Sequence, residues 1–157
     1  MAKMSAEQLE DRVRDYMAAC TSGDAEAIEK FFDPDAVHFF PPDMYDGPWH
    51  GASFIAQRWA EAVRTGRSAW TVDSVAVDVQ RQVAVCEWTH FKQVAGVILR
   101  GAELYEFDGQ GRIAEIRAYY ASPQDKSLTC LELGGFDYAG RGYPLEAPAR
   151  QAGGIRP

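Results

Sequence analysis

The side chains of this sequence that are best suited to acid–base chemistry are two histidines and a glutamate in largely apolar surroundings. His38 lies in AVHFF, His90 in EWTHF and Glu103 in GAELY. Histidine has the unperturbed pKa nearest neutrality, so His38 or His90 is a candidate general base. A carboxyl group in an apolar cavity has a raised pKa because desolvation disfavours its anion, and Glu103 could then donate a proton in a hydrogen bond. These residues together predict proton transfer on a small molecule.

Each of these residues also has a structural interpretation. A lone histidine on an apolar strand is often satisfied by local hydrogen bonds, and Glu103 could instead point outward or pair with Arg100 or Arg117. His50, in the loop before Gly51, is expected to make a turn contact. The histidines show no HxH or HExxH spacing, and the sequence has no GxSxG motif, P-loop or dinucleotide fingerprint. We therefore expect neither a metal site nor another cofactor.

Two helices are predicted at the start of the chain. Ser5 and Gln8 have capping-box spacing, and apolar residues then recur at helical intervals until Gly23. Asp24 is placed as the cap of a short second helix. That helix is expected to end at Asp33-Pro34, because proline cannot continue the hydrogen-bond ladder.

The pattern then changes from helical to alternating. A short strand is predicted over 37–40, a loop over 43–51, and a third helix from a Ser53 cap to Gly66. Four strands follow, near 68–79, 83–93, 98–107 and 112–120, joined by short turns. This order predicts an α+β architecture in which a curved sheet wraps around helices.

Strand alternation predicts which side chains share a face with Glu103. The other residues predicted on this inner face are Leu99, Gly101 and Tyr105 on the same strand, Cys86, Trp88 and His90 on the preceding strand, and Ile116, Ala118 and Tyr120 on the following strand. This set is aromatic with few polar groups. It predicts a pocket for an apolar or ring-shaped ligand with a few convergent hydrogen-bond donors.

Composition limits the partners of the protein. The 157 residues carry a net charge of −7, and the lysines and arginines are scattered, so neither a nucleic acid nor a membrane is expected as a partner. No N-terminal signal pattern or membrane span is recognised, which predicts a cytoplasmic protein. The cysteines Cys20, Cys86 and Cys130 are far apart in the sequence and are expected to be free buried thiols.

The chain divides into a domain over 1–122 and a C-terminal extension over 123–157. The extension is rich in Gly and Pro, yet it carries Phe136, Tyr138 and Tyr143, which are unusual in a freely solvated segment. It is expected to act as a lid over a pocket or as a contact with another subunit. Its final ten residues are expected to be poorly ordered.

Three motifs carry a resemblance to a known family. They are YMAACTSGDAEAI, which begins at Tyr16; DPDAV, which is followed by HFFPP; and GRIAEIRAYY, which ends at Tyr120. Over residues 5–122 the chain resembles the nuclear transport factor 2-like superfamily, in particular its ketosteroid isomerase-like and SnoaL-like enzymes. The resemblance implies a cone-shaped, mixed or antiparallel curved sheet around three N-terminal helices, an enclosed apolar pocket, and a homodimer paired through the outer face of the sheet.

The resemblance also implies roles for particular residues. In that family a tyrosine of the first helix and an acid on the third long strand donate hydrogen bonds to a developing oxyanion, which places Tyr16 and Glu103 in these roles. The carboxylate that moves the proton in that family is replaced by Phe40. His38, two residues earlier, and His90 are then the candidate bases. Trp59 lies where the third helix would close the pocket.

The sequence thus predicts a cofactor-free enzyme, an isomerase or a lyase of the dehydratase or cyclase type. It would abstract a proton from an apolar, cyclic or carbonyl-bearing molecule and stabilise the oxyanion. The predicted substrate-binding residues are Phe40, Trp59, Cys86, Trp88, Leu99, Ile116, Ala118 and Tyr120. The alternative is a non-catalytic module of the same fold that binds a small ligand or forms a dimer.

Overall fold

The computed structural model describes residues 3–41, 44–120 and 137–148. Helix α1 spans Ala6–Ser22 and begins with the predicted capping box, in which the Ser5 hydroxyl accepts from the Gln8 N–H and the Gln8 side chain accepts from the Ser5 N–H. It ends at Gly23, whose φ of 73° is the left-handed conformation that glycine adopts without a steric cost. This element agrees with the sequence prediction.

The second helix is shorter than predicted. Helix α2 spans Ala25–Glu29 and is capped by Asp24, whose side chain accepts from the N–H groups of Glu26 and Ala27. The chain leaves the helix because the Phe31 carbonyl accepts a hydrogen bond of 2.8 Å from the N–H of Ile113, which belongs to the sheet. The prediction that the helix continues to Asp33-Pro34 was therefore wrong.

Strand β1 spans Phe32–Phe39 and contains Pro34. A proline inside a strand removes one donor from the ladder. The pairing of β1 with the parallel strand that contains Ile113 is irregular between Phe32 and Val37. Pro34 therefore lies where no regular ladder hydrogen bond is required. The first strand is consequently longer than the predicted 37–40.

Part of the predicted 43–51 loop forms a strand. β2, Trp49–His50, pairs antiparallel with β1, so His50 lies opposite Val37 in the sheet and not in a turn. Helix α3 spans Ala52–Gly66 with Gly51 as its N-cap, and the prediction of a Ser53 cap was wrong. Gly51 has a φ of 90° and its N–H donates to the Ala36 carbonyl, so backbone geometry, and not a side-chain cap, starts the helix.

The remaining strands confirm the predicted meander. They are β3 Ser68–Asp78, β4 Val83–Lys92, β5 Val97–Phe107 and β6 Ile113–Tyr119. The described residues form one curved, unclosed sheet of six strands in the order β2-β1-β6-β5-β4-β3, antiparallel except for the parallel pair β1–β6. The fold is the predicted α+β cone, with helices packed on the concave face of a mixed sheet.

Apolar side chains from the helices and from the concave face form one core. Its most deeply buried members include Leu9, Val13, Tyr16, Ile28, Ile55, Tyr105, Ile113 and Ile116. Cys20 and Cys86 are free and buried, as predicted, while Cys130 lies outside the described residues. Within the described ranges, no helix has the length and hydropathy that a membrane span requires.

The described part of the C-terminal extension, 137–148, lies on the outer face of β4 and β5. The Tyr143 hydroxyl donates a hydrogen bond of 2.6 Å to Glu87, and Arg100 donates one of 3.1 Å to the Pro144 carbonyl. The Arg100 guanidinium also lies 4.2 Å from the ring centroid of Tyr138. The predictions for 121–136, which includes Phe136, and for the end of the chain lie outside the described residues.

Candidate active site

Glu103 points into the interior of the cone. It lies on β5 opposite Cys86 of β4 and Ala118 of β6, and its residue is 7% exposed. Arg100 and Arg117 do not pair with it: Arg100 donates to Thr89, and Arg117 forms ion pairs with two other glutamates on its own side of the sheet. The interpretation of Glu103 as an outward strand charge was therefore wrong.

The Glu103 carboxyl has two neighbours with acid–base character. Its Oε2 accepts a hydrogen bond of 2.6 Å from the hydroxyl of Tyr105, which lies two residues along the same face of β5. Its Oε1 lies 3.8 Å from Nε2 of His38 on β1, which is too far for a hydrogen bond. His38 and Tyr105 are both completely buried. The carboxyl therefore has one fixed oxygen and one oxygen that faces an imidazole.

Burial moves the two pKa values of this pair in opposite directions. Desolvation raises the pKa of Glu103 to about 7, although the Tyr105 hydrogen bond lowers it. Desolvation also lowers the pKa of His38 to about 3. Both groups avoid charge because little water reaches them. Near pH 7, His38 is therefore neutral, and Glu103 exchanges a proton in the range in which acid–base catalysts operate.

Tyr16 of α1 reaches the same region. Its residue is 1% exposed, and burial raises the pKa of its hydroxyl well above the ordinary value, with further contributions from Cys20 and from Glu103. Its ring packs edge-on against Tyr105, with 5.9 Å between the centroids. Tyr16 and Glu103, predicted to converge, are thus close enough for the charge of one to affect the other.

Several polar atoms buried in the interior of the cone have no hydrogen-bond partner among the described residues. They are the Tyr16 and Tyr45 hydroxyls, both ring nitrogens of His38, and the indole N–H groups of Trp59 and Trp88. Buried polar groups are normally paired, because leaving one unpaired costs about 1–3 kcal/mol. Of these residues, His38 and Tyr16 interact with Glu103, and unpaired buried polar groups beside a carboxyl are a feature of binding sites for polar ligand groups.

Aromatic rings enclose His38. The ring of Phe40 stacks on it at a centroid distance of 4.1 Å, and Trp59 of α3 lies at 5.6 Å. Trp49 of β2 packs edge-on at 6.0 Å, and Tyr45 contacts both Phe40 and Trp59. Phe40 and Trp59, both predicted from the sequence as substrate-binding residues, therefore lie beside His38.

The other predicted substrate-binding residues lie on the concave face of the sheet. Trp88 packs edge-on against Tyr120, with 5.2 Å between centroids, and burial raises the pKa of Tyr120, with contributions from Tyr45 and Glu103. Leu99 is buried near the start of β5, and Ile116 is fully buried opposite Tyr105. Of these residues, Leu99 is the most distant from Glu103 along the strand.

His90 forms a separate cluster. Its Nε2 lies 2.9 Å from the hydroxyl of Ser68, and its ring stacks on Trp70 at 4.3 Å. On β4 it is four residues beyond Cys86, the partner of Glu103, which corresponds to about 13 Å of strand. Burial, and secondarily Lys92, lowers its pKa. The structure therefore brings together Tyr16, His38 and Glu103 but not His90.

A surface depression of about 690 Å³ lies where β1 and β6 end, and its lining includes Phe39, Glu115, Arg117 and Tyr119 of the outer face. Among the residues that line it are Phe40, Ala118 and Tyr120 from the predicted substrate-binding set. The described residues contain no group of three or more His, Cys, Asp or Glu side chains that could hold a metal ion.

The comparison with known families agrees with this geometry. A family model described as a SnoaL-like domain matches residues 13–116, which include Tyr16, His38 and Glu103. This chain belongs to the SnoaL-like domain family. The SnoaL-like family includes isomerases and cyclases, and the fold is that of the nuclear transport factor 2-like superfamily.

Two solved structures resemble the SnoaL-like chain. One is a protein of unknown function with a cystatin-like fold from Methylobium petroleophilum PM1, with 46% identity, a TM-score of 0.75, and coverage of 96% of this chain and 100% of that one. The other is SalBIII, an epoxide hydrolase/cyclase-like enzyme in pyran ring formation in the polyether salinomycin. It shares the fold at a TM-score of 0.62 and 14% identity, covering 75% of this chain and 95% of that one. No curated protein matches.

Three residues of the SnoaL-like site were not assigned a role in the site from the sequence. Tyr105 was placed on the inner face without a role, although its spacing of two from Glu103 on a strand could have indicated the contact. Tyr45 and Trp49 lie in the segment that was predicted as a loop, where the Trp49 indole donates to the Tyr45 carbonyl at 2.9 Å. No periodicity marks these two residues, because the turn that brings them inward is irregular.

Proposed function

We propose that this SnoaL-like protein is a cofactor-free enzyme that transfers a proton on a small, largely apolar, carbonyl-bearing or cyclic molecule, leading to isomerisation, dehydration or cyclisation. The observation that carries the proposal is the position of Glu103. Its carboxyl is buried 3.8 Å from His38, with its pKa raised to about 7, and it lies close to buried polar atoms of Tyr16 and His38 that have no hydrogen-bond partner among the described residues.

The pKa values favour one division of roles. A general base is most effective when its pKa lies near the working pH, which suits Glu103 and not His38, whose pKa is about 3. We infer that Glu103 moves the proton, while the Tyr16 hydroxyl and the neutral His38 ring donate hydrogen bonds to the oxygen on which negative charge develops. The division predicted from the sequence, with Tyr16 and Glu103 as donors and His38 or His90 as base, is the alternative.

Two observations on simple probes test the proposal without knowledge of the natural substrate. The first is the binding of substituted nitrophenols, whose absorbance distinguishes phenol from phenolate. The second is the exchange of the α-hydrogens of a small cyclic ketone for deuterium, followed by NMR, which requires a base and a stabilised enolate. We expect the wild-type protein to bind the phenols and to catalyse the exchange.

The matched variants are Glu103→Gln and Glu106→Gln. Both residues lie on β5, but Glu106 is on the outer face, where it pairs with Arg117. Glu103→Gln should abolish the exchange, whereas Glu106→Gln should leave it unchanged. Equal exchange rates in the two variants would show that Glu103 does not transfer the proton.

A second candidate function is a non-catalytic ligand-binding module. It is favoured by Phe40, an inert ring stacked on His38 where the family resemblance places a carboxylate. This function predicts tight binding of the phenols with no exchange of the ketone hydrogens above the rate in buffer.

We also propose that two copies of the chain pair through the outer face of the sheet. Phe39, Val85 and Tyr119 lie on that face and are 40%, 40% and 65% exposed. Light scattering should give the mass of a dimer for the wild-type protein and that of a monomer for Val85→Glu. A monomeric wild-type protein would exclude this arrangement.

A further inference from the structure

The indole of Trp59 is fixed in the interior of the cone by other aromatic rings. Trp59 lies on the buried face of α3 and is 5% exposed. Its ring packs edge-on against Trp49, with 4.8 Å between centroids, and against Trp70 at 5.3 Å. Tyr45 and Phe40 also contact it, at 5.8 and 6.0 Å. Close packing of this kind leaves the indole little freedom to rotate, so its N–H group has a fixed direction.

The Trp59 N–H group is buried and has no hydrogen-bond partner among the described residues. An indole nitrogen can only donate a hydrogen bond, and an unpaired buried donor is unfavourable. The neighbouring Trp49 differs in this respect, because its N–H donates to the Tyr45 carbonyl at 2.9 Å. The Trp59 N–H is therefore the donor of this aromatic pair that is available to a ligand.

The Trp59 N–H group lies next to the Tyr16 hydroxyl. Burial raises the pKa of Tyr16 well above its ordinary value, whereas the Trp59 N–H lowers it, as a donor does when it is close to the oxygen that would carry the charge. The Tyr16 hydroxyl nevertheless has no hydrogen-bond partner among the described residues. The two donors thus lie side by side without being bonded to each other, and one acceptor oxygen could bind to both.

Trp59 also borders the residues from the sheet. Its ring lies 5.6 Å from that of His38, and the Glu103 carboxyl lies 3.8 Å from His38 on β1. Tyr16 is close enough to Glu103 for the carboxylate charge to raise the pKa of the Tyr16 hydroxyl further. Donors from two helices, α1 and α3, therefore meet a carboxyl from the sheet in one place.

We propose that the Trp59 indole N–H is a third hydrogen-bond donor of the site, which binds the same ligand oxygen as the Tyr16 hydroxyl. The proposal rests on the proposed function for the ligand as a whole, a small and largely apolar molecule. It narrows the polar group of that ligand to a carbonyl oxygen or an oxyanion, because an indole N–H can pair only with an acceptor.

The indole N–H signals in NMR report this hydrogen bond directly. The chain has four tryptophans, so the proton–nitrogen correlation spectrum of the full chain should show four indole signals. Single variants assign them: Trp49→Phe, Trp59→Phe, Trp70→Phe and Trp88→Phe. If Trp59→Phe is unstable, the other three variants assign the Trp59 signal by elimination.

The probe is 3,4-dinitrophenol at about pH 6, where the ligand is a phenolate and Glu103 is still protonated. We expect the Trp59 indole proton to move downfield when the phenolate binds, because the N–H then donates to an oxyanion. The Trp70 signal should stay in place. Trp70 packs on Trp59, but its ring stacks on His90, outside the site.

Affinities of the variants give a second measurement. Trp59→Phe keeps an aromatic ring and removes the N–H group, so it should weaken phenolate binding by about tenfold to a hundredfold. Trp70→Phe is the matched control and should bind like the wild-type protein. In a Tyr16→Phe background, Trp59→Phe should still weaken binding, because each donor contacts the ligand itself.

Three results would overturn the proposal. The first is a Trp59 signal that does not move when the phenolate binds. The second is an equal affinity of Trp59→Phe and the wild-type protein. The third is the loss of the Trp59→Phe effect in the Tyr16→Phe background, because Trp59 would then act on Tyr16 and not on the ligand.

These results are distinguishable from failure of the proposed function. A Trp59 signal that moves, in a protein that does not exchange ketone hydrogens above the rate in buffer, would refute catalysis and keep the donor. Exchange that depends on Glu103, together with an unmoved Trp59 signal, would do the reverse. A wild-type protein that binds no nitrophenol would overturn both.

Discussion

Oε1 of Glu103 and Nε2 of His38 lie 3.8 Å apart inside the cone, and almost no water-accessible surface remains on the imidazole. At this separation the two groups influence each other without a hydrogen bond. Burial raises the pKa of Glu103 to about 7 and lowers that of His38 to about 3. Between about pH 3 and pH 7 the carboxyl is therefore protonated while the imidazole is neutral.

The raised pKa of Glu103 predicts a loss of stability as the pH rises. Above its unfolded value of 4.5, the unfolded carboxyl releases its proton while the folded one retains it until about pH 7. Relative to Glu103→Gln, the wild-type free energy of unfolding should therefore fall by roughly 3 kcal/mol between these pH values and then level off. Urea titrations of both proteins across this range measure the difference.

His38 changes the free energy of unfolding with pH in the direction opposite to Glu103. The wild-type protein must therefore be compared with Glu103→Gln to isolate the contribution of Glu103. The folded pKa of His38 is about 3 against an ordinary 6.5, so its contribution to stability is lost as the pH falls below 6.5. In Glu103→Gln, the His38 contribution should remain, so the free energy of unfolding should rise with pH up to about 6.5. A constant difference between wild type and variant at all pH values would show that the Glu103 carboxyl titrates normally.

The pH dependence of deuterium exchange distinguishes the two divisions of roles. If Glu103 is the base, exchange should increase as the pH rises through about 7, because the carboxylate is then formed. If Glu103 must donate a proton to the oxyanion, exchange should decrease over the same interval. A profile that is flat from pH 6 to 8 contradicts both assignments, as about a tenfold change per pH unit is the limiting slope.

Tyr105→Phe should shift that profile toward higher pH. The Tyr105 hydroxyl donates the 2.6 Å hydrogen bond that stabilises the Glu103 carboxylate, and its removal further raises the pKa of the carboxyl. A hydrogen bond to a charged group contributes about 1.5–3 kcal/mol, which corresponds to about one to two pH units. Tyr119→Phe, on the exposed outer face, is the control and should not shift the midpoint.

Tyr16→Phe should change stability and affinity in opposite directions. The Tyr16 hydroxyl is buried without a partner among the described residues, so its removal should raise the free energy of unfolding by about 1–3 kcal/mol. The same change should weaken binding of the phenolate form of a nitrophenol. Unaltered affinity would exclude Tyr16 from the site.

A double-variant comparison tests whether Tyr16 and Glu103 share one ligand oxygen. Glu103→Leu removes all hydrogen-bonding capacity, and Glu103→Gln retains a donor, so the leucine variant should bind the phenols more weakly. Combining Glu103→Leu with Tyr16→Phe should cost less affinity than the sum of the single changes. Strict additivity would mean that the two groups contact different parts of the ligand.

Deletion of 137–157 should reduce stability and leave phenol binding intact. The described part of this segment covers the outer face, where Tyr143 donates to Glu87 and Arg100 stacks on Tyr138. Loss of the Tyr143 contact alone should cost about 0.5–1.5 kcal/mol, because this hydrogen bond is only partly buried. A deletion of 149–157 serves as the control. Weaker phenol binding after the longer deletion, with stability unchanged, would assign the segment to the site instead.

The fold could be predicted from local patterns because they were consistent along most of the chain. The capping box at Ser5 and the alternation that begins at Ser68 each determine one element, and their order determines the α+β class. The prediction failed between Lys30 and Ser53. There, tertiary hydrogen bonds to Ile113 and Ala36 override the usual effects of Pro34 and of a side-chain cap.

For the site, the sequence determined which side chains share the concave face, because strand alternation is a local geometric rule. Tyr16, His38 and Glu103 were identified in this way and by family resemblance. Only the tertiary structure decided that His38 faces Glu103 while His90 pairs with Ser68, since this depends on the parallel β1–β6 pairing. It also decided the pKa values, because desolvation depends on everything packed around a group and not on its neighbours in sequence.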